Sequence, residues 1–222
     1  MWALLRKAPP LPFLPAEVHG KEVAVLVPFY LGEAAQGRRL IEPLLRFGTP
    51  HGEHIAAQPY TRWQKAFDPL LTAGARNYWK SHNFTELSDG ALNAMIEFAG
   101  KLPSPQCELF IGLIAGAANR VAPEAMAYRH RDAKCVLNVH GRWDERTDDA
   151  RCIGWARAFF QAAAPYASAG AYVNFMTEEE NGRVAAAYGA NYDRLAQIKK
   201  RYDPDNLFHL NQNIKPSARQ GR

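Results

Sequence analysis

The chain has 222 residues, 47% hydrophobic and 22% charged, a composition that supports a buried core and excludes global disorder. Its 27 lysines and arginines against 22 aspartates and glutamates give a formal charge of +5. They are scattered rather than gathered on one face or arm, so no nucleic-acid partner is implied. The longest apolar run, Val23 to Val27 with Pro28 and Phe29 behind it, is far shorter than the roughly 20 residues of a membrane span, and no membrane partner is expected.

In the opening MWALLRKAPPLPFLP the charges follow the apolar residues and no small-residue cleavage site is present, which points away from a secretory signal and toward the cytoplasm. Residues 1–20, with Pro9, Pro10, Pro12 and Pro15, read as an extended lead-in rather than a helix or a central strand. Val23 to Phe29 is short, continuous and valine-rich, the pattern of a buried strand. Glu33 to Ile41 then reads as a helix that Pro43 interrupts, although Leu40, Ile41, Leu44 and Leu45 keep helical spacing across it. Residues 49–85, following Gly48, mix Gly52, Gly74, Pro50, Pro59 and Pro69 with many rings, and loops and short turns are expected there.

From Ser88 the periodicity is clear. Ser88 can cap a helix in which Leu92, Met95, Ile96 and Ala99 recur at helical spacing before Gly100. Cys107 to Ala115 is nearly all apolar, and Lys134 to Trp143 sets Cys135, Leu137 and Val139 against Asn138 and His140, so both read as strands. A helix from Thr147 carries Cys152, Trp155, Ala156, Phe159 and Ala163 in one stripe up to Pro165. Gly170 to Phe175 reads as a short extended segment. A last helix runs from Asn191, with Tyr192, Leu195, Ile198 and Tyr202 on its buried side and Lys199, Lys200 and Arg201 near its negative end, until Asp203-Pro204 stops it. The sum is an α+β fold, an antiparallel sheet with helices packed on one face, in one compact domain with tails.

Several chemistries lack their signatures. No G-x-G-x-x-G follows the first strand and no G-x-x-x-x-G-K-[ST] occurs, so the chain supplies no phosphate-cradling loop. His51 and His54 in HGEH have the spacing of a helical metal pair, but Gly48, Pro50 and Gly52 oppose a helix there and no third ligand is evident, so no metal is expected. No G-x-S-x-G elbow is present, and Cys107, Cys135 and Cys152, odd in number and widely spaced, read as reduced, packed thiols. What remains is Lys80 inside Asn77-Tyr78-Trp79-Lys80, the Tyr172-Val173-Asn174 segment after Gly170, and the polar tract Asn211-Gln212-Asn213. Each is equally what a hydrogen-bonded group at the edge of a core looks like.

A resemblance weights these residues differently. The run AAYGANYDRLAQIKKRYDPDNLFHLNQNIKP, Ala186 to Pro216, resembles the terminal segment of the berberine bridge enzyme-like FAD-linked oxidases, in the vanillyl-alcohol-oxidase superfamily of flavoproteins. NYWKSHNFTELSD at Asn77 to Asp89, GAANRVAPEAMAYRHRDA at Gly116 to Ala133 and WARAFFQAAAPYASAGAYVNF at Trp155 to Phe175 are similar to that family's substrate domain in the same order. The resemblance divides the chain into a proline-rich lead-in (1–20), a substrate-domain portion (21–185), a berberine-like C-terminal segment (186–216) and a tail (217–222). Met126 departs from the threonine that similar sequences carry before Ala-Tyr or Ala-Phe.

The resemblance implies an FAD-dependent oxidoreductase in which hydride passes from an alcohol, sugar or amine carbon to flavin N5. The family's N-terminal FAD-binding domain has no counterpart in these residues, which agrees with the missing phosphate loop and implies that a separate flavin domain or subunit must supply most of the FAD site. By resemblance Tyr172 and Asn174 match the family's Tyr-x-Asn pair near the ring, and Asn211 and Gln212 the returning tract beside flavin or ribityl. Lys80 is the candidate substrate-facing cation, since aromatic surroundings disfavour its charge and suit it to proton transfer. Catalytic expectations therefore fall on Lys80 and Tyr172, cofactor-binding ones on Asn174, Asn211 and Gln212, with Tyr128, His130 and His140 behind them. Partners expected are the flavin domain, a small-molecule substrate and, through an uncovered sheet face, a second copy of the chain. The alternative is a cofactor-free binding or interaction module that keeps the fold.

Overall fold

The structure, a computed structural model, describes residues 1–168 and 170–218. Residues 219–222 of the expected tail lie outside the described residues. Strands β1 (Trp2–Lys7), β2 (Glu22–Val27), β3 (Arg76–Phe84), β4 (Glu108–Leu113) and β5 (Cys135–Trp143) form one sheet in the order β2-β1-β4-β5-β3. Every neighbouring pair is antiparallel. In chain order the helices are α1 (Ala34–Leu45), the single turn α2 (Tyr60–Trp63), α3 (Asp89–Ala99), the single turn α4 (Ala117–Arg120), α5 (Asp149–Ala163), α6 (Val184–Tyr188) and α7 (Tyr192–Tyr202).

The two-residue period of a strand decides the layering. On β5, Cys135, Leu137, Val139 and Trp143 point to one side, where Leu109 and Ile111 of β4 and Phe84 of β3 join them. Against this surface pack Ala91 and Met95 of α3 and Cys152, Trp155, Ala156, Phe159 and Ala163 of α5, the principal core. Phe159 is fully buried, and removing such a ring from water contributes roughly 1.5–3 kcal/mol. Gly141 of β5 lies where β3 crowds the strand more than the helix does. A Cβ there would stand 3.1 Å from the Tyr78 carbonyl oxygen and 3.6 Å from that of Cys152 on α5.

Polar contacts fix the helix ends. The Ser88 hydroxyl accepts from the Ala91 amide and caps α3 as expected. Asp149, in the first turn of α5 where its charge complements the helix dipole, accepts from Trp143 Nε1 at 2.8 Å and from Arg76, tying the helix start to β5 and β3. The three thiols are free and buried, and burial pushes the Cys135 and Cys152 thiols up to about 11 and about 12.

Six expectations are corrected. Residues 2–7 are not a lead-in but an interior strand, because the prolines begin only at Pro9 and leave β1 free to pair on both edges. β2 is not buried but an edge strand, with Leu26 43% exposed. α1 continues through Pro43, whose missing N–H falls on the exposed side of the helix. Residues 76–84, expected to be loop, are β3. Residues 173–175 form a 3-10 turn, and α7 buries Ala196 while Ile198 and Tyr202 stay 44% and 75% exposed. Among the described residues no helix is long and apolar enough to cross a membrane.

Candidate functional site

The sheet face opposite α3 and α5 is organised in rows across the strands. One row runs Trp2, Gly112, Val136, Asn83, and the next Leu4, Phe110, Asn138, Ser81. A third runs Arg6, Glu108, His140, Trp79, with Arg142 opposite Asn77 beyond it. Aromatic rings cover the first two rows. Phe175 stands edge-on to Phe110 at 6.2 Å, Tyr172 follows at 5.1 Å from Phe175, and Tyr128 at 6.1 Å from Tyr172. At the other end Trp2 meets Phe67 and Phe110, each at 5.2 Å.

The polar residues of these rows behave in two ways. In the third row the charged and imidazole groups are paired: Arg6 Nη1 donates to Glu108 Oε2 at 2.8 Å, and His140 Nδ1 faces Glu108 Oε1 at 3.6 Å. The Asn77 amide nitrogen donates to the Ala75 carbonyl, so its Oδ1 is the acceptor for both His140 Nε2 at 3.0 Å and Arg142 Nη1 at 3.2 Å. In the first two rows the opposite holds. Ser81, Asn83 and Asn138 are 2%, 0% and 6% exposed, yet Ser81 Oγ, Asn83 Oδ1, Asn83 Nδ2 and Asn138 Oδ1 find no hydrogen-bond partner. Buried polar groups are nearly always satisfied, and each orphan costs about 1–3 kcal/mol, so this cluster is the polar feature of the face that contacts within the chain leave unexplained. It holds an amide donor, a hydroxyl and two carbonyl acceptors, with no charge among them.

The edge beside β3 carries a second feature, a groove of about 490 Å³. Trp79 and Asn77 form one wall, residues 176–178 another, and His209, Leu210, Asn211 and Gln212 of the returning chain the third. Its size is that of a small-molecule or cofactor site. Asn211 holds a left-handed φ of 57°, which turns the chain at this wall. Gln212 Nε2 donates to the Met176 carbonyl at 2.9 Å and anchors the tract.

The structure thus brings some of the sequence-derived candidates together and separates one. Tyr172 and Asn174 are paired, the Asn174 amide donating to the Tyr172 phenol oxygen at 3.0 Å, beside the aromatic cover of the helix-free face. Asn211 and Gln212 line the adjoining groove. Lys80 does not reach that face. It projects to the helix side, where its Nζ pairs with Glu179 and Glu180, so the expected substrate-facing cation is replaced by a buried ion pair. Ser81, Asn83 and Asn138 were not singled out. Their signal was the two-residue alternation of Asn77, Trp79, Ser81 and Asn83 against Tyr78, Lys80, His82 and Phe84, hidden because both faces of β3 mix polar and aromatic residues.

Residues 171–215 match the family model described as "Berberine and berberine like". The chain is 26% identical over 192 residues to the FAD-linked oxidoreductase YgaK of Bacillus subtilis, covering 86% of this chain and 42% of that protein. It is 29% identical over 196 residues to YvdP of the same organism, covering 85% and 43%. The fold is that of the berberine bridge enzyme-like protein 28 of Arabidopsis thaliana, with a TM-score of 0.76 at 17% identity over 98% of this chain and 50% of that one. The chain is thus similar to part of the FAD-linked oxidoreductases. Residues 171–215 carry the likeness to the berberine-like proteins, and the chain spans less than half the length of the curated relatives it matches.

Proposed function

We propose that this chain forms the substrate-facing part of a flavin-linked oxidoreductase that takes hydride from an alcohol, sugar or amine carbon, with FAD held chiefly by a separate flavin domain or subunit. The observation that carries this reading is the unpartnered, uncharged set of Ser81, Asn83 and Asn138 on the helix-free face. Such a set fits the hydroxyl or amine of a neutral polar substrate, which can donate to one amide carbonyl while accepting from the other amide's N–H. FAD, when bound, supplies the hydride acceptor, and the protein's contribution is placement and proton handling. Asn211, Gln212 and Asn174 are the residues of this chain that would meet it. Asn211 and Gln212 fit because the groove they border is open, of suitable volume and lined in part by amides, and Asn174 stands outside it, held to the Tyr172 phenol.

Two phenols stand at this face as proton acceptors. Burial pushes the Tyr128 phenol up, which sets it against accepting a proton near neutral pH. Tyr172 accepts a hydrogen bond from the Asn174 amide, which fixes its oxygen and leaves its O–H to donate. It can take the substrate's proton by passing its own hydroxyl proton to solvent, and Tyr172 is assigned that relay.

Anaerobic stopped-flow reduction of the flavin-loaded protein, this chain together with its flavin domain, tests the reading. Tyr172→Phe should slow reduction by about 10²-fold or more, whereas Tyr128→Phe should change it little. Asn138→Leu should weaken substrate binding. Parent-like reduction by Tyr172→Phe and Asn138→Leu together would overturn the assignment of this face.

A further inference from the structure

We propose that Lys80 is the positioning residue that clamps the berberine-like segment, and with it Tyr172, Asn174 and the Gln212 anchor, onto the sheet. The inference rests on the functional reading above only for its catalytic consequence.

Lys80 is 6% exposed and lies in the middle of β3. Its Nζ pairs with Glu179, stands 3.4 Å from Glu180 Oε2 and 3.5 Å from Thr177 Oγ1, and is flanked by the rings of Tyr78 at 5.6 Å and Phe160 at 5.8 Å. One strand residue thus reaches three residues of a segment about 100 positions later in the chain. The two carboxylates are not equivalent. Glu179 also binds the Tyr78 hydroxyl and Arg157 of α5, two further ties to the sheet and helix layers. Glu180, with its side chain 5% exposed, otherwise pairs with Thr177 and Arg183, both on its own segment, while His82 of β3 lies within its electrostatic reach. Among the described residues Lys80 is therefore the sheet residue that ion-pairs with the buried Glu180.

The segment's ends show what this link controls. Upstream, Ser168 is bridged to Asn83 of β3. Downstream, the Met176 carbonyl, one residue before Thr177, holds Gln212 at 2.9 Å. Tyr172 and Asn174 lie between the bridge and the clamp. Slack at Lys80 passes to the phenol and amide on one side and to the groove wall on the other. A buried pair broken at one partner is costly, because the remaining charge keeps its desolvation penalty. The segment can escape that cost by lifting away from β3 into water.

The test is amide hydrogen exchange on the full chain, comparing the parent with Lys80→Met and Lys80→Arg. Lys80→Met should speed exchange about tenfold in residues 173–181 and 209–213 while leaving α5 and β5 at parental rates, and Lys80→Arg should restore most of the protection. Unchanged exchange in 173–181 would overturn the proposal, and so would a uniform loss that includes α5 and β5, which would make Lys80 a residue of global stability. Should Lys80→Met not fold, Glu180→Gln carries the same expectation. In the flavin-loaded protein, a positioning role lowers the reduction rate of Lys80→Met by one factor at every pH, whereas loss of a pH limb would return Lys80 to proton transfer and refute the inference. Failure of the functional reading appears instead in Tyr172→Phe, with the exchange pattern intact.

Discussion

Replacing Asn83 by leucine should make the chain more stable, against the usual direction of core substitutions. Asn83 is 0% exposed, and both atoms of its amide lack partners. Each unsatisfied group costs about 1–3 kcal/mol, and leucine, which shares the γ-branched shape of asparagine but is larger, removes both. Fitting the larger side chain into a packed site returns about 1–3 kcal/mol of that gain. The net expectation is a stabilisation of about 2 kcal/mol, or a thermal midpoint about 4–8 °C higher for a chain of this length. Urea and thermal unfolding of the ligand-free chain measure it, with Asn93→Leu on the exposed side of α3 as a control expected within about 0.5 kcal/mol of the parent. A loss of stability in Asn83→Leu would mean that the amide is satisfied in the ligand-free chain, and the argument that this face awaits a polar ligand would fail.

Two further outcomes follow from the polar contacts. Burial raises the Glu179 carboxyl, but hydrogen bonds from Lys80, Tyr78 and Arg157 outweigh it and hold the group at about 2, below its ordinary 4.5. A carboxylate depressed in the folded state contributes stability above the unfolded value and loses it as pH falls. With a side chain 37% exposed the screened contribution is about 1 kcal/mol. Urea midpoints should therefore decline between about pH 4.5 and 2, and Glu179→Gln should remove that part of the decline; an identical acid profile in the variant would refute the assignment. Ser88→Ala should cost about 1 kcal/mol through the lost α3 cap, read as a lower urea midpoint at unchanged slope.

The sequence revealed elements wherever one face was uniformly apolar. β5 and α5 show their period because each presents an unbroken hydrophobic set to the core: Cys135, Leu137 and Val139 on one, Cys152, Trp155, Ala156, Phe159 and Ala163 on the other. β3 was illegible for the opposite reason. Its helix-facing side carries Tyr78, Lys80 and His82, and the last two are buried by specific partners rather than by apolarity. The Phe160 carbonyl faces His82 Nε2 at 2.8 Å, and desolvation drives the imidazole's pKa down. No local pattern predicts that Glu179 and Glu180, so far along the chain, make a lysine acceptable under a helix. The candidate site inherits the same limit. Tyr172, Asn174, Asn211 and Gln212 were reached through resemblance, while Ser81, Asn83 and Asn138 emerge only when three rows of strand neighbours are aligned.

The strand order also carries a kinetic consequence. β1 pairs with β2 across residues 8–21, but its other edge waits for β4 at residues 108–113, and β3 pairs with β5 at residues 135–143. The early hairpin therefore stays unanchored while residues 28–107 are synthesised. Loop closure over such spans precedes any reward from the contacts, so folding should be slow, in the range of domains rich in non-local pairing. During that interval the apolar edge of β1 is open to any passing strand, which makes the nascent chain, more than the finished protein, the species most exposed to misassembly.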